Sequence, residues 1–263
     1  MNSYNISFQS IVDNDILTRV DRRSSGAVGL AIALTIIALW SIILPVLLSL
    51  NLREVWIGFI QIAILWQMFL DTGLFITAHD AMHGAVYRKN PKINHSIGAL
   101  TCFLYCFFPY KELFKKHALH HNHPASELDP DYHDGRHSNP IAWYLYFMKS
   151  YWSWYQFIGM TVLYYISIRL FHVEPLNFWL LLAFPLILSS LQLFYFGTYL
   201  PHREPIEGYK TDNRARTIEL PVFWSFLACY HFGYHNEHHQ YPRVPWWQLP
   251  TVYRQNRQLK SIS

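Results

Sequence analysis

Between Ala27 and Leu48 the chain carries no charged residue. A helix needs about 20 apolar residues to cross the ~30 Å hydrocarbon core of a bilayer, so this run can span one. Trp56 to Ala78 is a second candidate and carries Gln61, Gln67 and Asp71, which implies that one of its faces meets protein rather than lipid. Leu176 to Leu200 is again uncharged, and Pro185 inside it is expected to kink the helix locally. Tyr151 to Ile168 is aromatic-rich and just long enough to span. Ser96 to Pro109 is apolar but short, and reads as a re-entrant or half-membrane piece. A further short apolar stretch runs from Leu220 to Phe232.

The composition agrees. Of 263 residues, 52% are hydrophobic and only 14% charged, where soluble domains run near a quarter charged. That excludes a disordered chain, a coiled coil and a collagen-like fibre, and argues against an ordinary soluble enzyme. The mean hydropathy is only +0.07, because the polar residues gather in blocks between apolar runs. The length suits one integral domain, 27–263, behind a polar N-terminal segment, 1–26. That segment carries Asp13, Asp15, Arg19, Asp21, Arg22 and Arg23. It lacks the short apolar core and cleavage site of a secretory signal, and its acidic residues do not suit a transit peptide.

The net charge of +4 does not point to nucleic acid. The basic residues flank apolar segments, where they suit anionic lipid headgroups. Cys102, Cys106 and Cys229 give no disulfide framework. No internal repeat or low-complexity segment is present. Trp143, Trp152, Trp154, Trp246 and Trp247 lie near the ends of apolar runs and read as an interfacial belt.

Lysine and arginine set the orientation. Arg19, Arg22 and Arg23 precede the first span, and Arg53 alone lies between the first and second. Arg88, Lys89, Lys92, Lys111, Lys115 and Lys116 follow the second, and the link between the last two spans has only Arg169. Further basic residues follow Leu200. Four spans with both termini inside satisfy this bias, and they place the dense histidine groups on the cytoplasmic side.

Histidine is the outlier, with 15 in the chain. His79 and His83 form an HxxxH pair, and His117, His120 and His121 an HxxHH box, repeated by His235, His238 and His239. Residues at i, i+3 and i+4 share a helix face. The first and last imidazoles of an HxxHH box stack, and the middle one lies about 100° from its neighbour, so one box can feed two neighbouring metal ions. Burying eight imidazoles beside a membrane is costly without partners. Imidazole suits zinc, copper, iron and nickel. Eight or more nitrogens imply two metals with four to five ligands each, and Asp80, Asp129, Asp131 and Glu237 are candidates to orient them. The HExxH signature of a zinc protease is missing.

His202, at the end of the last long span, and His231, four residues before His235, are further ligand candidates. The His231 reading requires one continuous helix. His123, His133 and His137 lie in a loop rich in Pro and Asp and read as surface or supporting residues; His95 and His172 read as plain loop residues.

Four spans with three cytosolic histidine boxes resemble the membrane fatty-acid desaturase and hydroxylase superfamily, which is non-haem di-iron. Several stretches are closer still to the β-carotene ketolases of the bacterial CrtW type. They are His79-Asp80-Ala81-Met82-His83-Gly84, the second box followed by Asp129-Pro130-Asp131, and the run Phe194-Tyr195-Phe196-Gly197-Thr198-Tyr199-Leu200-Pro201-His202-Arg203. The fourth runs from His231 to His239 and on through Pro242, Pro245, Trp246 and Trp247. The resemblance covers nearly the whole chain from about residue 25.

It implies an all-α integral membrane enzyme, a four-span helical bundle under a cytosolic histidine-rich di-iron cap. Two Fe(II) ions would be held by His79, His83, His117, His120, His121, His235, His238 and His239. His202 fits the extra ligand outside the boxes, and His231 is the further candidate. The implied reaction is oxygenation at C4 of the β-ionone ring: two hydroxylations and a dehydration convert β-carotene through echinenone to canthaxanthin. The implied partners are β-carotene and related carotenoids, O2, a ferredoxin as electron donor, and membrane lipid. Phe194, Tyr195 and Tyr199 either line the substrate channel or pack the bundle. The iron boxes leave open a fatty-acyl desaturase or a carotenoid hydroxylase. A histidine-rich metal transporter is the reading from another class, but it needs ionisable ligands near mid-span, where only Asp71 lies.

Overall fold

The structure is a computed structural model and describes residues 26–209 and 211–260. The polar N-terminal segment thus lies outside the described residues, apart from Gly26. The described chain is all-helical. Three helices are long and apolar enough to cross a membrane: α1 (Gly26–Leu48), α2 (Ile57–Met82) and, further along, Pro175–His202.

Helix α2 is the central element. It packs against α1, against the shorter α3 (Pro91–Cys106) and against the Pro175–His202 helix. Its C-terminal half is almost wholly buried, with Leu74, Ile76 and Ala78 at 0% exposure, while Ile62 and Leu65 nearer its start are exposed. At about 1.5 Å per residue, α2 is longer than the hydrocarbon core by about 9 Å, between one and two turns. Its last turn carries His79, with His83 just past the helix end.

Asn90 caps α3 by accepting from the backbone N–H of Lys92 and Ile93 at 3.0 and 3.3 Å, with Pro91 at the first helical position. The half-membrane piece expected at 96–109 thus begins earlier, at Pro91. Phe107, in a left-handed conformation (φ 54°), ends it, and α4 (Tyr110–Asn122) carries the second histidine box. After a loop come α5 (Pro140–Tyr151) and α6 (Trp154–Arg169). Helix α6 covers the expected span at 151–168, but its 16 residues reach only about 24 Å.

Helix α7 (Pro175–His202) contains two widened, π-helical turns, Trp179–Ala183 and Phe194–Tyr199. Each lies just ahead of a proline, Pro185 and Pro201. A proline offers no N–H to the carbonyl four residues back and its ring crowds that carbonyl, here Leu181 and Gly197. The kink expected at Pro185 is therefore resolved as a widened turn, a feature frequent at functional sites. The chain closes with α8 (Val222–Cys229), α9 (His235–Gln240) and α10 (Leu249–Lys260).

Two tryptophans assigned to the interfacial belt lie in the core instead. Trp143 is 1% exposed and donates its indole N–H to the Asp131 carbonyl at 2.8 Å. Trp246 packs on Phe226 and Tyr230. Trp247, half-buried, lies against Gly29 of α1. Trp152 and Trp154 are exposed, as a belt requires. An indole can meet its single polar demand either at the headgroups or on a buried carbonyl, and position in sequence does not tell which.

Candidate metal centre

Four elements converge on one end of the bundle: the end of α2, α4, the end of α7, and α9. Their histidines form two groups, and within each the nearest ring nitrogens all lie within 4.8 Å of one another. The first comprises His79, His83, His117, His121 and His238; the second comprises His120, His202, His235 and His239. The helical spacing divides the boxes as expected. In α4 the i, i+4 pair His117 and His121, whose rings meet edge-on at 4.6 Å, joins the first group and His120 the second. In α9 His235 and His239 join the second group and His238 the first.

Ring nitrogens face one another throughout. Nε2 of His83 lies 2.6 Å from Nε2 of His117, and Nε2 of His238 lies 3.1 Å from that of His79 and 2.9 Å from that of His121. In the second group Nε2 of His239 lies 3.1 Å from the Nε2 atoms of both His120 and His235. A facing pair of neutral imidazoles can share at most one N–H, so most of these nitrogens present bare lone pairs to a common centre. Burial, together with the neighbouring imidazoles, pulls His117, His235, His238 and His239 well below the ordinary histidine range and His121 to about 2. They are neutral at pH 7, the state that binds a metal.

Two members have their tautomer set from behind. The Nδ1–H of His202 donates to the Arg214 carbonyl at 3.0 Å, leaving its Nε2 buried and without a partner. His120 Nδ1 lies 3.0 and 3.1 Å from the two carboxylate oxygens of Asp129. Burial lowers the His120 pKa, but the charges of Asp131 and Asp129 outweigh it and hold it up at about 8. A ligand imidazole whose other nitrogen donates to a carboxylate or carbonyl is the usual arrangement at metal sites. The orphaned Nε2 of His202 and the convergent neutral nitrogens fit a pair of first-row divalent cations in an all-imidazole setting, with binding at His120 displacing its second proton.

Of the other acidic candidates, Asp131 lies 3.7 Å from His120 Nδ1 and accepts from the Tyr151 hydroxyl. Asp80 Oδ1 lies 3.5 Å from His79 Nδ1, and its other oxygen accepts from the Trp246 backbone N–H at 3.1 Å. Glu237 accepts from the Thr217 hydroxyl at 2.5 Å.

His231 is not brought to either group. Tyr230 and His231 both adopt positive φ, 47° and 62°, so the helix ends before reaching His235 and the shared face expected for them does not exist. The His231 ring packs among Phe226, Tyr234 and Trp246. His133 packs against Tyr132 and edge-on to Trp143, and His137 pairs with Asp134 at the surface. His95 meets the Tyr110 hydroxyl, His123 ends α4, and His172 sits in the turn before α7.

An apolar cavity of about 190 Å³ ends on the histidines. His79, His117, His120 and His235 form its floor, and its walls include Phe75, Leu113, Phe147, Leu186, Leu193 and Phe232. Met148 and Ile187, which also line it, are exposed on the bundle exterior. Phe194, Tyr195 and Tyr199 do not line the cavity. Phe194 packs on Trp143, Tyr144 and Phe147, and Tyr199 on Trp143. Gly197 and Thr198 of the same widened turn form its wall instead, because the turn presents them inward. A second, shallower opening reaches the first histidine group beside Phe114, Asn122 and Pro242. The sequence carried no signal for the Arg214 carbonyl, since any residue supplies one. Thr198 was open to view in the Gly-Thr pair ahead of Pro201.

The fatty acid desaturase family matches residues 54–175 and 151–260 of the chain. A β-carotene ketolase of Paracoccus sp. is 38% identical over 70% of this chain and 75% of its own length. A β-carotene 4-ketolase of Haematococcus lacustris is 43% identical over 71% of this chain and 59% of its own. A zeaxanthin 4-ketolase of Chlamydomonas reinhardtii is 39% identical over 84% of this chain, which spans about half the length of that relative. With its paired histidine groups set against an apolar cavity, the chain belongs to the fatty acid desaturase family, in its carotenoid ketolase branch.

Proposed function

We propose that the protein is a β-carotene 4-ketolase, converting β-carotene through echinenone to canthaxanthin. The observation that carries this reading is the apolar cavity whose floor is made by members of both histidine groups. An engineered apolar cavity of ~150 Å³ takes up a benzene molecule, so this one suits a ring-sized end group. The rest of the polyene would lie outside, along the exposed apolar face at Met148 and Ile187.

Each histidine group would hold one Fe(II). When bound, the irons supply the activation of dioxygen that a hydrocarbon C–H bond requires. Each round at C4 consumes one O2, two electrons and two protons, inserting one oxygen and releasing one water. After two rounds the carbon carries two hydroxyls and loses a third water to leave the ketone. The electrons come from an external donor, for which a ferredoxin is the proposed source.

The chain's own residues hold, orient and dry the site. Asp129 and the Arg214 carbonyl keep the protons of His120 and His202 on Nδ1, so that Nε2 of each faces inward. Phe232 stands 4.7 Å from the His79 ring and 5.2 Å from the His235 ring, walling both groups against water. Phe75, Leu186 and Leu193 confine the ring so that its C4 methylene reaches the floor.

Helix α6 is proposed as the fourth span, tilted or set in thinned bilayer to meet its length, with the histidine cap on the cytoplasmic face. Expression in a β-carotene-producing host, followed by product analysis, tests the reading. Canthaxanthin and two irons per purified chain are expected. Unchanged β-carotene, a hydroxylated or desaturated product alone, or a single tightly held zinc would overturn it. Zeaxanthin supplied in parallel decides whether hydroxylated rings are accepted.

A further inference from the structure

The membrane-embedded threonines divide in an informative way. Thr35, Thr72, Thr77, Thr101 and Thr161 each donate the side-chain hydroxyl to the carbonyl four residues back, at 2.8–2.9 Å. That bond is the ordinary way to hide a hydroxyl in a helix. Thr198 does not make it. It lies in the widened turn Phe194–Tyr199, where the backbone ladder is shifted from the i−4 carbonyl to the one beyond. Its residue is 5% exposed and lines the apolar cavity.

The other hydroxyls in that wall are engaged. Tyr151 bonds Asp131, Tyr105 lies 3.4 Å from the Ser189 hydroxyl, and Ser190 meets Tyr144 at 2.7 Å. Among the described residues of the wall, Thr198 alone holds an unpartnered hydroxyl. Its place is next to the metal end. His202 follows four residues later on the same helix, and His79, His117, His120 and His235 line the same cavity. The adjacent Gly197 is packed so closely on Phe232 that a Cβ there would lie 2.6 Å from its ring.

A bare hydroxyl facing a hydrocarbon ring gains nothing from β-carotene. It gains a hydrogen bond once C4 of that ring bears oxygen. Resting on the ketolase reading, we propose that Thr198 is a positioning residue for the second oxidation round. Its hydroxyl binds the C4 hydroxyl of the half-oxidised ring and holds the remaining C4–H toward the histidine floor. The same bond would retain the alcohol until the ketone forms. No catalytic step is assigned to Thr198 itself.

The test uses Thr198→Val, which keeps the shape and removes the hydroxyl, and Thr198→Ser, which restores it. Binding of β-carotene and of its 4-hydroxy derivative is measured on the metal-free full chain in lipid nanodiscs, and product ratios are measured in cells. The valine variant should bind β-carotene as the wild type does and the alcohol about 10-fold more weakly, the size of one hydrogen bond. In cells it should consume β-carotene but release the alcohol, with the ketone-to-alcohol ratio falling about 10-fold. Serine should restore both. Equal weakening for both carotenoids, an unchanged product ratio, or failure of serine to rescue overturns the proposal. A wild type that makes no ketone and binds neither carotenoid overturns the ketolase reading, and this inference with it.

Discussion

His202 shows how much rests on one side chain. It is the only member of either group that α7 supplies, and its ring stands 4.8 Å from both His120 and His235. His202→Ala should leave the second group short of one donor. The purified variant should be iron-poor and form no canthaxanthin, read by elemental analysis and pigment extraction. Full iron with normal yield would remove His202 from the site. His231→Ala should keep its iron, because its ring lies among aromatics rather than ligands.

Asp129→Asn belongs to the same scale. Asp129 also accepts from the backbone N–H of Ala125 on one carboxylate oxygen and of Asp131 on the other, at 2.8 and 2.9 Å, so asparagine, with a single acceptor oxygen, keeps only one of these loop bonds. It also loses the charge that orients the His120 Nδ1–H. A loss of about 10–100-fold in metal affinity is expected, measured by metal titration of the purified chain. Wild-type affinity would show that Asp129 braces only the loop.

Among the elements, α1 supplies no ligand, yet it holds the end of α2 in place. Gly29 lets α1 approach the turn after His83 so closely that a Cβ there would lie 2.3 Å from the Val86 carbonyl oxygen and 3.1 Å from the Trp247 ring. A backbone oxygen cannot swing aside as a flexible side-chain tip can. Gly29→Ala should therefore destabilise the protein by roughly 1–3 kcal/mol, the usual range for overpacking. The check is thermal unfolding in detergent. An unchanged midpoint would mean that α1 slides freely on this turn. The widened turn at Phe194–Tyr199 acts at the same scale. It sends Phe194 and Tyr199 into the aromatic packing around Trp143 and leaves Gly197 and Thr198 facing the cavity.

For the molecule as a whole, the proposed topology makes a sharp demand. With four spans and both ends inside, residues 49–56 and 170–174 face one side of the membrane and the histidine cap the other. Single cysteines at Arg53, Glu174 and Arg136, in a background lacking the three native cysteines, should label accordingly with a membrane-impermeant thiol reagent. In intact cells Arg53→Cys and Glu174→Cys should react, and Arg136→Cys only after lysis. Reaction of Arg136→Cys in intact cells would reverse the orientation. Reaction at Arg53 but not at Glu174 would remove α6 as a span.

The chain's own text determined what obeys short-range rules. Apolar runs of bilayer length define α1, α2 and α7, since an unpaired backbone in lipid must become helix. HxxHH spacing on a 3.6-residue repeat alone divides each box between two centres, and the structure assigns His117 and His121 to one and His120 to the other. Tertiary structure decided what depends on distant partners. His202 joined the second histidine group because α7 ends against α4 and α9, and His231 lies outside both groups because two left-handed residues break the helix that would have aimed it. Trp143 and Trp246 went to the core because buried surfaces were there to receive them. The Thr198 hydroxyl went to the cavity because Pro201 follows a turn that had to widen. None of these outcomes is written in a window of neighbouring residues, because each is set by which surface the rest of the chain brings opposite.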